Sequence, residues 1–129
     1  MVYMFELTRE KINILDIMKD IVDSIILKFD RTLLGYSWMN YDPIIQYEVI
    51  FDDNGPVYGF SNGSLTYAVN RIKLKLEEYL KAKSLDNYMI VETTNDYSHH
   101  HKLVLKLKQF ETKEEHDEFI TWLKLIGLM

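Results

Sequence analysis

Apolar residues along this chain of 129 residues follow two different spacings, and the spacing changes repeatedly along the sequence. Apolar residues recurring every three or four positions predict helices over 8–29, over 61–83 and from Thr112 onward. Between these helices, alternation of apolar and polar residues predicts strands over 44–51, 57–60, 88–94 and 99–109. Polar turns of hairpin length join the two strands of each pair, so we expect antiparallel pairing.

A further, irregular edge strand over 33–41 would precede these strands. The predicted fold class is therefore α+β, with a mostly antiparallel four- or five-stranded sheet and three helices. The expected order is α-(β)ββ-α-ββ-α, in a single globular domain spanning 1–129.

The first predicted helix has more apolar surface than a helix with one neighbour needs. All its apolar residues except Ile12 project within an arc of about 180°, whereas an ordinary surface helix shows a stripe of ~100°. Two interpretations are open. The helix is wedged between the sheet and another helix, or part of its arc forms a homodimer interface.

Composition excludes several kinds of site. The chain has no cysteine, which rules out disulfides, thiol nucleophiles and cysteine-ligated metals. Its apolar runs are far shorter than the ~20 residues of a membrane-spanning helix, and its first residues lack the pattern of a signal peptide. We therefore expect a cytoplasmic protein without membrane contact or cofactor. The scarcity of alanine beside many Ile, Lys, Asp, Asn and Tyr indicates AT-rich coding, typical of low-GC bacteria and their phages.

The net charge of −5 arises in the first half of the chain. Residues 1–60 carry five basic and ten acidic residues, whereas 61–129 carry ten of each. This balance disfavours phosphate binding, so a nucleic-acid role depends on a local stripe, for which Lys102, Lys106 and Lys108 are the candidates. The same lysines could instead protect a sheet edge from aggregation.

A run of three histidines offers a candidate metal site. His99 and His101 point to the same side of a strand, so they could chelate a metal with Glu92 or Asp96 as a third ligand. The alternative interpretation is a solvated hairpin end.

Two clusters are candidates for binding a partner protein. Asp16, Asp20 and Asp23 share the polar side of the first helix, where Lys19 could offset their repulsion or a basic partner surface could recognise them. The aromatic residues Tyr36, Trp38 and Tyr41 crowd a short segment, and they either cover the edge of the core or form an exposed contact.

The sequence provides no catalytic set, so we do not expect an enzyme. The leading hypothesis is a small acidic protein-binding module of bacterial or phage origin: an inhibitor, immunity protein, adaptor or chaperone that occludes a partner surface. One alternative is a metal-dependent enzyme or ligand sensor using His99 and His101. The other is nucleic-acid binding through the strand lysines.

Overall fold

The computed structural model describes residues 9–29, 36–40, 44–52, 62–95 and 100–129. Three helices and an antiparallel sheet confirm the α+β class. The elements are α1 (Arg9–Phe29), β1 (Tyr36–Asn40), β2 (Gln46–Asp52), α2 (Asn62–Ala82), β3 (Met89–Asn95), β4 (His100–Leu107) and α3 (Lys113–Leu125).

The sheet has the order β1-β2-β4-β3, and every neighbouring pair is antiparallel. Three strands, β2, β4 and β3, form its body, and the short β1 pairs with β2 at one edge. Residues 46–50 of β2 are thus paired on both sides, by β1 and by β4. The strand predicted over 57–60 lies outside the described residues.

The connection through α2 determines which strands are central. After β2, the chain runs through α2 to β3, and β4 then returns between β2 and β3. Because β2 and β3 are both antiparallel to β4, they run parallel to each other with β4 between them. This places β4 in the interior of the sheet and leaves β3 at an edge.

The two helices α1 and α2 cover one face of the sheet. On that face Tyr47, Leu105 and Val91 lie side by side in register, with Val49, Leu103 and Thr93 in the next row. α1 packs on β2 and α2, and α2 packs on β3 and β4. The core cluster draws residues from all three helices and from β2, β3 and β4.

The apolar arc of α1 is used within the domain. Seven of its residues are at most 9% exposed: Ile14, Leu15, Met18, Ile21, Val22, Ile25 and Ile26. These contacts support the interpretation of α1 as a helix wedged between the sheet and α2. Among the described apolar residues of α1, Ile12 and Leu27 are exposed. A homodimer through α1 stays a prediction.

A tight turn at the end of α2 connects this helix to β3. Ser84 adopts a left-handed φ of 53°, its N–H donates to the carbonyl of Lys81, and Leu85 N–H donates to the carbonyl of Leu80 at 2.7 Å. This pair of bonds is the Schellman motif, and the two leucines it joins are both buried. Leu85 then accepts from the N–H of Met89, the first residue of β3.

The last helix starts at the N-cap residue Thr112. Thr112 Oγ1 accepts from Glu115 N–H at 3.2 Å, and the Glu115 carboxylate accepts from the backbone of Glu111. Phe119 of α3 stacks at a tilt with Tyr88 and Phe110. Trp122 Nε1 donates to the carbonyl of Lys83 at 2.9 Å, which ties α3 to the residues just after α2.

Candidate interaction surfaces

The acidic cluster on α1 is divided between the interior and the surface. The carboxylate of Asp23 accepts a hydrogen bond from the Tyr47 hydroxyl at 2.8 Å and is ion-paired with Lys19. The hydrogen bond to Asp23 raises the pKa of Lys19 above its usual value, against the opposing effect of desolvation. Asp23 therefore joins α1 to β2, whereas Asp16 and Asp20 are exposed.

The aromatic candidates lie partly outside the described residues. Tyr36 and Trp38 belong to β1, where they are the register partners of Ile50 and Glu48. Tyr41 lies outside the described residues. The sequence predicts an edge strand over 33–41, and β1 forms within that range, over 36–40.

One residue of the histidine run, His101, is buried in the sheet and is not solvated. His101 is 2% exposed and is paired in register with Phe51 and Asn95, so the interpretation as a solvated hairpin end is wrong for this residue. The reason is strand parity, because His101 shares the helix-covered face with Leu103 and Leu105.

The same parity separates one proposed third ligand from the histidine. Glu92 pairs with Val104, so it lies on the opposite face of the sheet from His101. Within the part of the chain that the structure describes, no group of three His, Asp or Glu side chains could hold a metal ion. His99 and Asp96 lie outside the described residues, so a site using His99 with His101 stays a prediction.

The strand lysines do not protect a sheet edge. β4 is an interior strand between β2 and β3, so that prediction is wrong. Each lysine also has a partner. Lys106 Nζ lies 2.7 Å from a Glu92 oxygen and Lys102 Nζ lies 3.6 Å from a Glu48 oxygen. Lys108 donates to the backbone carbonyl of Asp86 at 3.1 Å.

The two ion pairs of Lys102 and Lys106 lie on the open face of the sheet, which is the face opposite to the one that α1 and α2 cover. They surround one apolar residue, Val104. Val104 has Glu48 and Glu92 beside it on the neighbouring strands, with Lys102 and Lys106 before and after it on β4. Val104 is only 8% exposed, although α1 and α2 cover the opposite face of the sheet. The open face is thus charge-compensated, and its central apolar residue is covered.

The strand order places β3 at an edge of the described sheet. Lys108 N–H donates to Tyr88 O at 2.8 Å, which identifies their pair as hydrogen-bonded. Pairs alternate along an antiparallel ladder, so Val91 and Thr93 direct their backbone N–H and C=O groups away from β4. No strand among the described residues pairs on that side.

A cavity of about 280 Å³ lies along this edge, between β3 and α2. We call it the β3 groove, and its lining is Glu77, Leu80, Lys81, Asp86, Met89, Ile90 and Val91. Leu80 and Met89 are buried and form an apolar base, whereas Ile90 is 39% exposed. A second depression on α2 shares Glu77 and Lys81 with the groove and includes Leu74, which is 53% exposed.

Two sequence signals could have pointed to the β3 groove. Ile90 falls in the polar phase of its strand, and Leu74 lies off the apolar face of α2, so each is an apolar residue without a core position. In addition, the segment Met89–Asn95 has neither lysine nor proline, the residues that commonly protect an edge.

A third surface lies on α3. Tyr88, Trp122 and Leu125 border a depression of about 470 Å³ together with the acidic residues Glu114, Asp117 and Glu118. Leu125 is 73% exposed. This surface offers apolar area but no unpaired strand edge.

No family model, curated protein or solved structure matches this chain. Within the described residues, no helix combines the length and apolarity needed to cross a membrane.

Proposed function

We propose that this chain is a small acidic protein-binding module whose partner docks on the β3 groove. The single observation that carries the proposal is the outer edge of β3, where outward backbone groups border an apolar-based cavity. An extended edge presents a row of donors and acceptors that another protein chain can satisfy, and proteins usually protect such edges.

The residues around the edge favour a specific contact over simple exposure. The ladder between β3 and β4 runs from Met89 to Asn95 without a bulge that would twist the edge away. Ile90 and Leu74 provide apolar contact area, and charged side chains form the rim. An apolar centre with a polar rim is the usual composition of a protein interface.

The pairing of the strand lysines weighs against nucleic-acid binding as the main role. A phosphate would have to compete with Glu92 for Lys106 and with Glu48 for Lys102. A partner that occludes the β3 groove fits an inhibitor, an immunity protein, an adaptor or a chaperone equally well. These classes differ in the partner and not in the way the groove is used.

A pair of matched variants tests the docking surface. Ile90→Arg places a charge at the border of the β3 groove, on the same face of the sheet as Glu92. Leu125→Arg places the same charge on an exposed apolar residue of α3. Each variant and the wild-type chain is immobilised and exposed to an extract of the source cells, and bound proteins are quantified by mass spectrometry. We expect a protein that is retained at wild-type levels by Leu125→Arg and lost at least tenfold by Ile90→Arg.

Equal retention by Ile90→Arg and the wild type would contradict docking at the groove. The same comparison with Trp38→Ala and with Asp16→Asn plus Asp20→Asn tests the residues that the sequence nominated. Loss of the partner in those variants alone would move the interface to β1 and α1.

A further inference from the structure

We infer that the occupant of the β3 groove is an extended peptide segment of the partner, which adds to the sheet as a new strand beside β3 and carries alternating apolar and basic residues. This inference rests on the proposed function, because it specifies how the docking surface is used. It separates strand addition from docking of a folded surface or a helix.

The backbone of β3 provides the first argument. Val91 and Thr93 each direct one donor and one acceptor outward, and they are two residues apart, which is the spacing at which an added strand forms its hydrogen bonds. A helix satisfies its own backbone groups and cannot use this row. An extended segment can, and this is the known physical basis of recognition by strand addition.

The cavity provides the second argument. In an added strand, alternate side chains would lie on the helix-covered side, next to the buried Leu80 and Met89. Their environment is apolar at the base, with Glu77, Lys81 and Asp86 at the rim. The residues of the segment on this side are therefore expected to be apolar.

Charge determines the other side of the segment. The remaining side chains would lie on the open face next to Glu92, which pairs with Lys106 at 2.7 Å and whose side chain is still 47% exposed. Opposite charges on adjacent strands stabilise a pair, so a lysine or arginine is expected there.

A second copy of this chain fits the edge less well. Antiparallel pairing of β3 with β3 of another molecule, in a register centred on Glu92, would place the two Glu92 carboxylates side by side. Like charges on adjacent strands are destabilising. The occupant that complements this edge is consequently a different segment.

Selection from a random library of ten-residue peptides tests the inference on the intact chain. We expect the selected peptides to alternate apolar residues with lysine or arginine. In the complex with a selected peptide, amide hydrogen exchange at Val91 and Thr93 should slow at least tenfold, with no comparable change at Glu118 or Leu125 on α3. This measurement uses the wild-type chain and does not depend on the folding of a variant.

Variants then separate the backbone contribution from the charge contribution. Thr93→Pro removes an outward N–H and leaves the ladder to β4 intact, so it should weaken the selected peptide at least tenfold. Glu92→Lys should weaken it about fivefold, and the loss should shrink at high salt. Glu118→Lys makes the same charge change on α3 and should leave the affinity unchanged.

The outcomes distinguish this inference from the proposed function. If Ile90→Arg loses the cellular partner but Thr93→Pro retains it, the groove is a docking site and strand addition is wrong. Selected peptides that lack the alternation, that protect residues of α2 or α3 instead of β3, or that are not obtained at all also overturn strand addition. If neither Ile90→Arg nor Thr93→Pro affects partner binding, both proposals fail.

Discussion

The two faces of β4 are built from alternate residues of the same strand and exclude water in different ways. On the helix-covered face, Leu103, Leu105 and Leu107 lie beneath α2 and are almost completely buried. On the open face, Val104 is nearly as well buried, between Lys102 and Lys106. Helices pack over the first face, whereas on the second face the register neighbours of Val104 are charged side chains of the sheet.

This difference shows how a sheet face without a helix can still protect an apolar residue. Lysine and glutamate side chains have apolar stems that can lie across a neighbour while their charged ends stay near water. The ion pairs of Lys102 with Glu48 and of Lys106 with Glu92 join side chains that neighbour Val104 on the same face. We therefore expect the helix-covered face to dominate stability and the open face to contribute a smaller, salt-dependent part.

The largest effect is expected on the helix-covered face. Leu105→Ala removes a fully buried side chain and leaves a cavity beneath α2, so it should lower the free energy of unfolding by about 2–5 kcal/mol. Urea denaturation followed by circular dichroism measures this change. A loss below about 1 kcal/mol would mean that the face can collapse around the gap, and the contrast between the faces would be much weaker.

The next largest change in the free energy of unfolding tests whether Val104 is shielded from water on the open face. Val104→Ala removes two methyl groups from a nearly buried position and should cost about 1–2 kcal/mol, at roughly 0.8 kcal/mol for each buried carbon plus a small cavity effect. Thr94→Ala, at an exposed position of the same face, is the control and should change stability by less than about 0.5 kcal/mol. Equal results for the two variants would show that Val104 is accessible to water.

The contrast between the faces also explains what could be predicted from the sequence. The alternation of residues along 103–107 predicts that the three leucines face inward and that Val104 faces outward. The burial of the leucines beneath a helix agrees with this prediction, but alternation alone does not predict that Val104 is buried. Glu48 and Glu92 become neighbours of Val104 only through the strand order.

Strand order is also the reason that the candidate site was missed. The local pattern indicates that β3 and β4 form a hairpin, but it does not indicate that β4 lies between β2 and β3. Because of that arrangement, Lys102 and Lys106 lie on an interior strand and cannot protect an edge, and β3 is an edge strand. It also explains the burial of His101. The pairing of β4 with β2 places every odd-numbered residue of β4, His101 included, on the face that the helices cover.

A smaller effect is expected from the ion pairs of the open face. Lys106→Met keeps most of the apolar stem and removes the charge that pairs with Glu92 at 2.7 Å. The expected loss is about 0.2–1 kcal/mol in low salt and close to zero in 1 M salt, where screening is strong. A large loss in the free energy of unfolding that does not depend on salt would show that the apolar stem of Lys106, and not its ion pair, stabilises this face. The double variant with Glu92→Gln separates these two contributions.

The smallest effect concerns titration on the helix-covered side. The pKa of Lys19 is raised by its hydrogen bond to Asp23, and the pKa of Tyr79 is raised by burial, from ordinary values of 10.5 and 10.0. A group whose pKa is raised on folding stabilises the fold fully below its unfolded value, and this contribution is lost as pH rises through the folded value. The free energy of unfolding should therefore fall as the pH rises above about 10. Lys19→Met and Tyr79→Phe should each flatten that decline, and a decline of the same slope in both variants and the wild type would assign it to other groups.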